Sequence, residues 1–483
     1  MLTWNSRPTQ AEKGEAIRRP DMNVDYQDRL DFLYGRLNYE WLGMPKLTEE
    51  LRLGRMRKLL RLLGDPHESL RIIHVAGTKG KGSTSVMIAA ALSASGLRTG
   101  LFCSPHLHRL EERFSVDGVE ATPDELVALT DAVRPAVETL DAFCADSRYR
   151  GPTFFEITTA MGLLHFQRKA AGAVVLEVGM GGRLDSTNVV HPELAVITTI
   201  SFDHTRQLGS TLGAIATEKA GILKRDCPAI SGVIEPEARD AIRHVAGQRR
   251  CMLRELDCDF RYQYIRPETP LTRPVAGKVH VNTWRTDWGE IELPLLGPHQ
   301  AGNVAVALAS LDALAERGWN VGRDAVVRGF ASLRWPARVE VLGEAPWLVV
   351  DSSHNVASAE ALASTLQTCF PATRRTLIYG TSRDKDMRGQ LQVLLPLFDQ
   401  VIATRYLENP RSVAPEEVAR TIEELDGRVA IAAADPAEAL AEARRRTGPD
   451  GLICVTGSLF LAAEARALIL NEESAPAVGR ILA

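Results

Sequence analysis

A glycine-rich turn set between a buried strand and a helix constrains this chain more than any other feature. Residues 71–76 (RIIHVA) form a short apolar run suited to an interior strand, and Gly77-Thr78-Lys79-Gly80-Lys81-Gly82-Ser83 follows directly. Residues 83–95 then read as a helix stopped by Gly96, and residues 99–103 as the next strand. Strand, loop, helix and strand make a βαβ unit of a parallel sheet. The loop suits a polyphosphate. Its glycines let the backbone approach, a helix N-terminus aims amides at the anion, and Lys81 supplies a cation near the terminal phosphate. The spacing is not the usual G-x-x-x-x-G-K-[ST], because Val75 holds the first glycine position and Gly82 follows the lysine. A tight turn with an incidental lysine is the alternative. The strand before and the helix after favour a nucleoside triphosphate site.

The rest of the chain extends this pattern. Residues 26–64 carry leucines at helical spacing, residues 155–168 read as a helix, and residues 173–178 and 195–200 as buried strands. Residues 252–295 alternate with period two, which predicts a small antiparallel sheet. A second α/β series begins near Trp335-Pro336, with strands at 347–350, 375–379, 400–404 and 451–455. A length of 483 residues exceeds one ordinary hydrophobic core. The expected division is an N-terminal extension over 1–20, a nucleotide-binding domain over 21–336 and a C-terminal α/β domain over 337–483.

Composition excludes several classes. A net charge of −4 gives no general footprint for nucleic acid. The seven cysteines form no C-x-x-C pair, which argues for reduced thiols and against a zinc site. No secretory leader and no membrane-length apolar run is read, so a cytoplasmic location is expected, and a monomer is the default.

The remaining motifs sit just past strand ends, where open α/β sheets gather ligands. Ser104, in Cys103-Ser104-Pro105-His106, is open to two readings, metal ligand or turn cap. Glu177 closes an apolar strand before Gly179-Met180-Gly181-Gly182-Arg183-Leu184-Asp185, and a carboxylate there needs a cation or hydrogen-bond donors. Mg²⁺ and a purely structural role are both open. Those glycines are not a dinucleotide fingerprint, because no apolar helix follows them. His204, in Ser201-Phe202-Asp203-His204, is either a ligand or a loop cap. Lys219, taken alone, reads as a solvated helix lysine. Asp351-Ser352-Ser353-His354-Asn355, Asp384-Lys385-Asp386, Asn409-Pro410-Arg411-Ser412 and Thr456-Gly457-Ser458 follow strands of the second series.

Taken in order, HVAGTKGKGST, SPH, TFFE, EVGMGGRLDSTN, DHT, EKAGILK, GPHQAGN, WPAR, DSSHN, DKD, PRS and TGS resemble the folylpolyglutamate synthase/dihydrofolate synthase family of the Mur-ligase superfamily. The resemblance spans about residues 30–465. It implies a P-loop ATPase domain with a mainly parallel sheet and a small antiparallel one, followed by a Rossmann-like domain. It also implies an amide ligase in which a dihydropteroate or folate carboxylate takes the γ-phosphate of MgATP and L-glutamate then displaces phosphate. By the same resemblance, Gly77, Thr78, Lys79, Gly80, Lys81, Gly82, Ser83, Asn303 and Arg338 would bind nucleotide. Ser104, Glu177, His204 and a carbamylated Lys219 would hold Mg²⁺. Asp351 and His354 would act near the phosphate and glutamate, and Thr153, Phe155 and Asp185 would line the pterin pocket. Two competing functions are another Mur-type amino-acid ligase and a non-catalytic nucleotide binder. The chain departs from the family at DSSHNV, where DGAHNP is common, and at CSPH in place of TSPH.

Overall fold

The structure is a computed structural model that describes residues 24–42, 53–144, 151–371 and 374–474. The expected extension over 1–20 lies outside the described residues. The first sheet contains β1 (Ile72–Ala76), β2 (Thr99–Phe102), β3 (Phe114–Val116), β4 (Val119–Glu120), β5 (Ala173–Glu177), β6 (Leu194–Ile197), β7 (Ala229–Ser231) and β8 (Leu253–Glu255). They are ordered β4-β3-β2-β5-β1-β6-β7-β8. From β2 to β8 neighbouring strands run parallel, while β3 and β4 form an antiparallel edge.

β1 is buried along its whole length because both faces of a parallel sheet are covered. Ile73 and Val75 pack toward helix Lys81–Ala94 and helix His299–Ala315, with Met87, Ile88, Val304 and Leu308 as partners. Ile72 points the other way, into a core with Leu33, Met56, Phe154 and Met161. This alternation is what a strand dictates. It leaves the carboxyl ends of β1, β2, β5 and β6 on one rim.

β9 (Arg261–Ile265), β10 (Lys278–Asn282) and β11 (Asp287–Glu292) form the expected antiparallel sheet. Its Val279, Val281, Trp288 and Ile291 share the core of helix His299–Ala315. Residues 253–255 differ from expectation. They extend the large sheet as β8, paired parallel to β7.

The last sheet is ordered β12 (Glu340–Glu344), β13 (Trp347–Val350), β17 (Leu452–Thr456), β14 (Arg375–Tyr379), β15 (Gln400–Ala403) and β16 (Ile431–Ala432). All are parallel except the edge strand β12. Helices Val356–Cys369, Met387–Leu394 and Pro415–Asp426 cover one face, and Pro436–Arg446 and Leu459–Ser474 the other. This is the doubly wound arrangement expected of a Rossmann-like domain. No helix among the described residues is long and apolar enough to cross a membrane.

Candidate active site

The loop after β1 is stapled to the end of β6. The Thr78 amide donates to the Thr199 carbonyl at 2.7 Å, and its hydroxyl to the Ser201 carbonyl at 3.2 Å. The Lys79 amide donates to the Thr199 hydroxyl, and the hydroxyls of Thr198 and Thr199 donate back to the Lys79 carbonyl at 2.6 and 3.1 Å. The glycines are required by space. Gly80 caps helix Lys81–Ala94 at φ 80°, and a β-carbon there would sit 2.2 Å from Asn303 Oδ1. One on Gly77 would sit 1.9 Å from the Thr198 hydroxyl. A β-carbon on Gly82 would sit 2.9 Å from the Trp335 ring and 3.6 Å from Glu177 Oε1. Ser83 is buried in the first turn of the helix.

Three lysines crowd this loop. Lys81 Nζ and Lys219 Nζ both donate to the Gly77 carbonyl, at 3.2 and 2.8 Å. Lys79 Nζ pairs with Asp203 at 3.2 Å. Burial, reinforced by the Lys81 charge, lowers the Lys219 pKa to about 7. Burial also lowers Lys79 to about 8 against the pull of Asp203. Lys219 is therefore an interior amine, not the solvated helix lysine its local sequence suggests. Helix Leu212–Ala220 turns it inward, and only 4% of it is exposed.

Glu177 ends β5 beside this group. It accepts the Ser104 amide at 3.3 Å and has no ion pair among the described residues. Burial raises its pKa, opposed by Lys81 and Arg338. His204 stands at φ 49°, nearly half exposed, with Nε2 3.8 Å from Asp203. Desolvation by the protein around it, with the charges of Lys385, Lys81 and Lys219, lowers its pKa to about 4 against the pull of Asp203. Ser104, Glu177, His204 and Lys219 thus surround the loop. The described residues contain no group of three or more His, Cys, Asp or Glu suited to a metal.

The second domain closes over the same rim. His354 follows β13, with Nδ1 3.0 Å from the Ser352 carbonyl. Burial and the charges of Lys79 and Lys385 depress it to about pKa 3. Asn355 donates to Asp203 at 3.0 Å across the cleft. Arg338 donates to the Ala337 carbonyl at 3.1 Å and to the Ser352 hydroxyl. Asp351 anchors its own loop. Its oxygens accept the Val339 and Ser353 amides at 3.0 and 2.8 Å, and burial raises its pKa. In this structure Asp351 shapes the loop that presents His354. Asn303 is 6% exposed, donates to Gln300 at 2.8 Å and packs on Gly80.

Two of the three expected pterin residues touch the segment after Glu177, Phe155 at Gly179 and Asp185 at Met180. Thr153 caps helix Phe154–Arg168 and shares a capping box with Glu156, which also pairs with Arg55 at 2.7 Å. Asp185 accepts the Met180 amide at 2.9 Å and the Thr187 hydroxyl at 2.5 Å. Phe155 lies against Gly179 and is 6.2 Å from the Phe102 ring. Thr153, Glu156, Leu184 and Ser186 meet Leu53, Arg55 and Met56 around a cavity of about 20 Å³. That is room for a water, and Phe155 and Asp185 do not line it.

Sequence reasoning assigned no role to Asp203 or Asn355, nor to Thr198 and Thr199. The signal for Asp203 was its position one residue before His204 on a strand-end loop. Nothing local distinguishes the two threonines from ordinary strand residues.

Comparison with known proteins agrees with this geometry. Residues 75–311 match the Mur ligase middle domain, and residues 337–459 the Mur ligase, glutamate ligase domain. The dihydrofolate synthase/folylpolyglutamate synthase of Bacillus subtilis is 32% identical over 448 residues, covering 92% of this chain and 99% of that protein. The Mycobacterium tuberculosis protein of the same name is 35% identical over 465 residues, covering 89% and 92%. The structure of Mycobacterium tuberculosis folylpolyglutamate synthase complexed with ADP superposes with a TM-score of 0.82 at 32% identity, covering 92% of this chain and 98% of that one. That of E. coli FolC in complex with DHPP and ADP gives 0.77 at 29%, covering 92% and 98%. The chain belongs to the folylpolyglutamate synthase/dihydrofolate synthase family, built on Mur ligase domains.

Proposed function

We infer that this chain is an ATP-dependent ligase that joins L-glutamate to the carboxylate of a pteroate or folate, releasing ADP and phosphate. The observation that carries this reading is the convergence of Lys79, Lys81 and Lys219 on one phosphate-shaped loop, faced across a cleft by His354 and Lys385. Phosphoryl transfer needs positive charge around the moving group and reactants held in line, with no protein nucleophile. A carboxylate oxygen of the acid attacks the γ-phosphorus, and the bond to the β-γ bridging oxygen breaks, giving ADP and an acyl phosphate. The amine of glutamate adds to the acyl carbon, loses a proton, and expels inorganic phosphate. Lys81 and the loop amides bind and orient the phosphates. Neutral His354 stands near the transfer point from the second domain.

The residues fit a hard divalent cation. Glu177 offers a buried carboxylate and Ser104 an adjacent hydroxyl, and Mg²⁺ beside phosphates takes one or two carboxylates with water and phosphate oxygens. Mg²⁺ bound there supplies charge neutralisation on the transferring group. His204 and Lys219 complete the proposed set. Lys219, with a pKa near 7, has much of its amine neutral at physiological pH, which is the form that adds CO₂ to give a carbamate. Thr153, Phe155 and Asp185 are proposed for the pterin side, and on that basis both dihydropteroate and reduced folate are substrates.

The test is ADP release by the purified protein with dihydropteroate and with a reduced folate, each with and without glutamate. Glutamate-dependent release with both is expected. No glutamate-dependent release with any pterin contradicts the proposal, and release with a UDP-linked acid alone places the chain among the cell-wall ligases.

A further inference from the structure

The connection from β2 to β3, residues 103–113, is built more rigidly than a surface hairpin needs and touches both domains. At its start the Ser104 amide donates to Glu177. At its middle the Glu112 carboxylate accepts three successive backbone amides, Leu107 at 2.6 Å, His108 at 2.8 Å and Arg109 at 2.8 Å. Its end is tied to its beginning, because Arg113 Nε donates to His106 Nδ1 at 2.9 Å. Arg113 is fully buried and pairs through both terminal nitrogens with Glu40, at 3.0 and 2.6 Å. A buried arginine is retained only with such pairing.

The tip of this segment is docked on the other domain. Leu107 packs against the core formed by Ala337, Leu348, Val350 and Leu461. Arg466, on helix Leu459–Ser474, donates to His108 Nε2 at 3.2 Å while holding Glu340 at 2.8 Å. A second arginine of that domain, Arg411, donates to the Glu40 carbonyl at 3.0 Å. The segment that begins at the Glu177 contact therefore has its tip in the C-terminal domain, and Glu112 removes the slack between the two.

We propose that residues 104–113 are a strap that sets Ser104 and Glu177 according to the position of the C-terminal domain, with Glu112, Arg113 and Leu107 as its positioning residues. None of the three lies on the phosphate loop. They act through Ser104, so that the site is in register only when the second domain, which brings His354, is docked. The assignment rests on the ligase reading for its kinetic consequence and on the hydrogen bonds alone for its mechanical one.

The experiment compares Leu107→Ala, Glu112→Gln and the double variant in the full-length protein. Breaking a serial connection at one point or at two has the same result. Each single variant should lose about tenfold in kcat, and the double should lose no more than the worse single. The ADP dissociation constant, set by the phosphate loop, should stay within about twofold of wild type. Amide exchange at residues 107–109 should quicken by about tenfold or more in Glu112→Gln, and Glu112→Asp, which keeps the charge, should recover part of both effects. Multiplying losses in the double variant, an unchanged kcat in the singles, or a loss of ADP binding matching the loss of kcat would each overturn the strap. If wild-type protein shows no glutamate-dependent turnover, the ligase reading fails by itself. Exchange of the Ser104 amide in Leu107→Ala then decides the strap, since releasing the tip should quicken it by about tenfold and an unchanged rate would overturn the coupling.

Discussion

The rims of the two sheets are built on opposite plans. On the first, most polar groups are matched internally, the buried hydroxyls of Ser201 and Thr84 being exceptions among the described residues. Thr78 meets Ser201, Lys79 meets Asp203, and Thr198 and Thr199 hold the Lys79 carbonyl. On the second, the buried hydroxyls of Ser353, Thr404, Ser412 and Thr456 and the amide nitrogen of Asn409 have no hydrogen-bond partner among the described residues. A buried unpaired polar group costs about 1–3 kcal/mol, so natural interiors keep few of them. The first rim is the more fully matched of the two, a cradle stapled to the end of β6 by its own hydrogen bonds. The second holds hydrogen-bonding capacity in reserve. That division suits a reaction in which the nucleotide is bound by a rigid loop and a small, polar amino acid is received by the other domain.

Substitutions can break this contrast, and the largest effect belongs to the more fully matched side. Lys81→Ala removes the cation at the start of the helix and should lower kcat by about a thousandfold, read from steady-state ADP release. A loss below about tenfold would mean that the other two lysines carry the phosphate.

Lys219→Met should cost about a hundredfold or more in activity while raising stability. The sign follows from the lowered pKa. Between pH 7 and about 10.5 the unfolded lysine keeps a proton that the folded one has lost, so wild-type stability rises with pH across that window. Methionine has no proton to lose, so thermal melting of Lys219→Met should lack this slope. Activity that needs a carbamate should also fall as pH drops below 7, where Lys219 is protonated. Intact mass in bicarbonate checks the modification, and an unmodified lysine in fully active enzyme would remove Lys219 from the metal set.

Gly80→Ala should destabilise the protein by about 1–3 kcal/mol, since the residue sits at φ 80° against Asn303. It should also weaken ADP binding, measured by calorimetry. On the reserve side, Thr456→Val should leave ADP affinity and melting temperature unchanged or slightly improved while raising the KM for glutamate about fivefold. An equal loss in ADP affinity would show that the two rims are not separate in function.

The sequence made the first rim legible and the second only partly so. The loop at 77–83 carries its chemistry in adjacent residues, and the short apolar strands before it are unmistakable. β3, β4, β7, β12 and β16 escaped notice because two- to five-residue edge or short strands have too few positions to display a period. The break in pattern at 253–255 was read as part of the antiparallel unit because an isolated three-residue strand does not declare its partner. Lys219 shows the same limit at the site. A helix sequence does not say which side faces the interior, and only the resemblance pointed to its role. Asp351 adds a structural duty the motif did not announce, since each of its oxygens accepts a backbone amide of its own domain. Glu112 and Arg113 gave no signal at all, because their partners at 40, 106 and 107–109 are joined only by the fold.

The most direct test of the account is isotope transfer. With ¹⁸O in the acceptor carboxylate of dihydropteroate, the enzyme should release phosphate carrying one ¹⁸O for each amide formed, because that oxygen makes the new bond to the γ-phosphorus. Amide formation with unlabelled phosphate would contradict it.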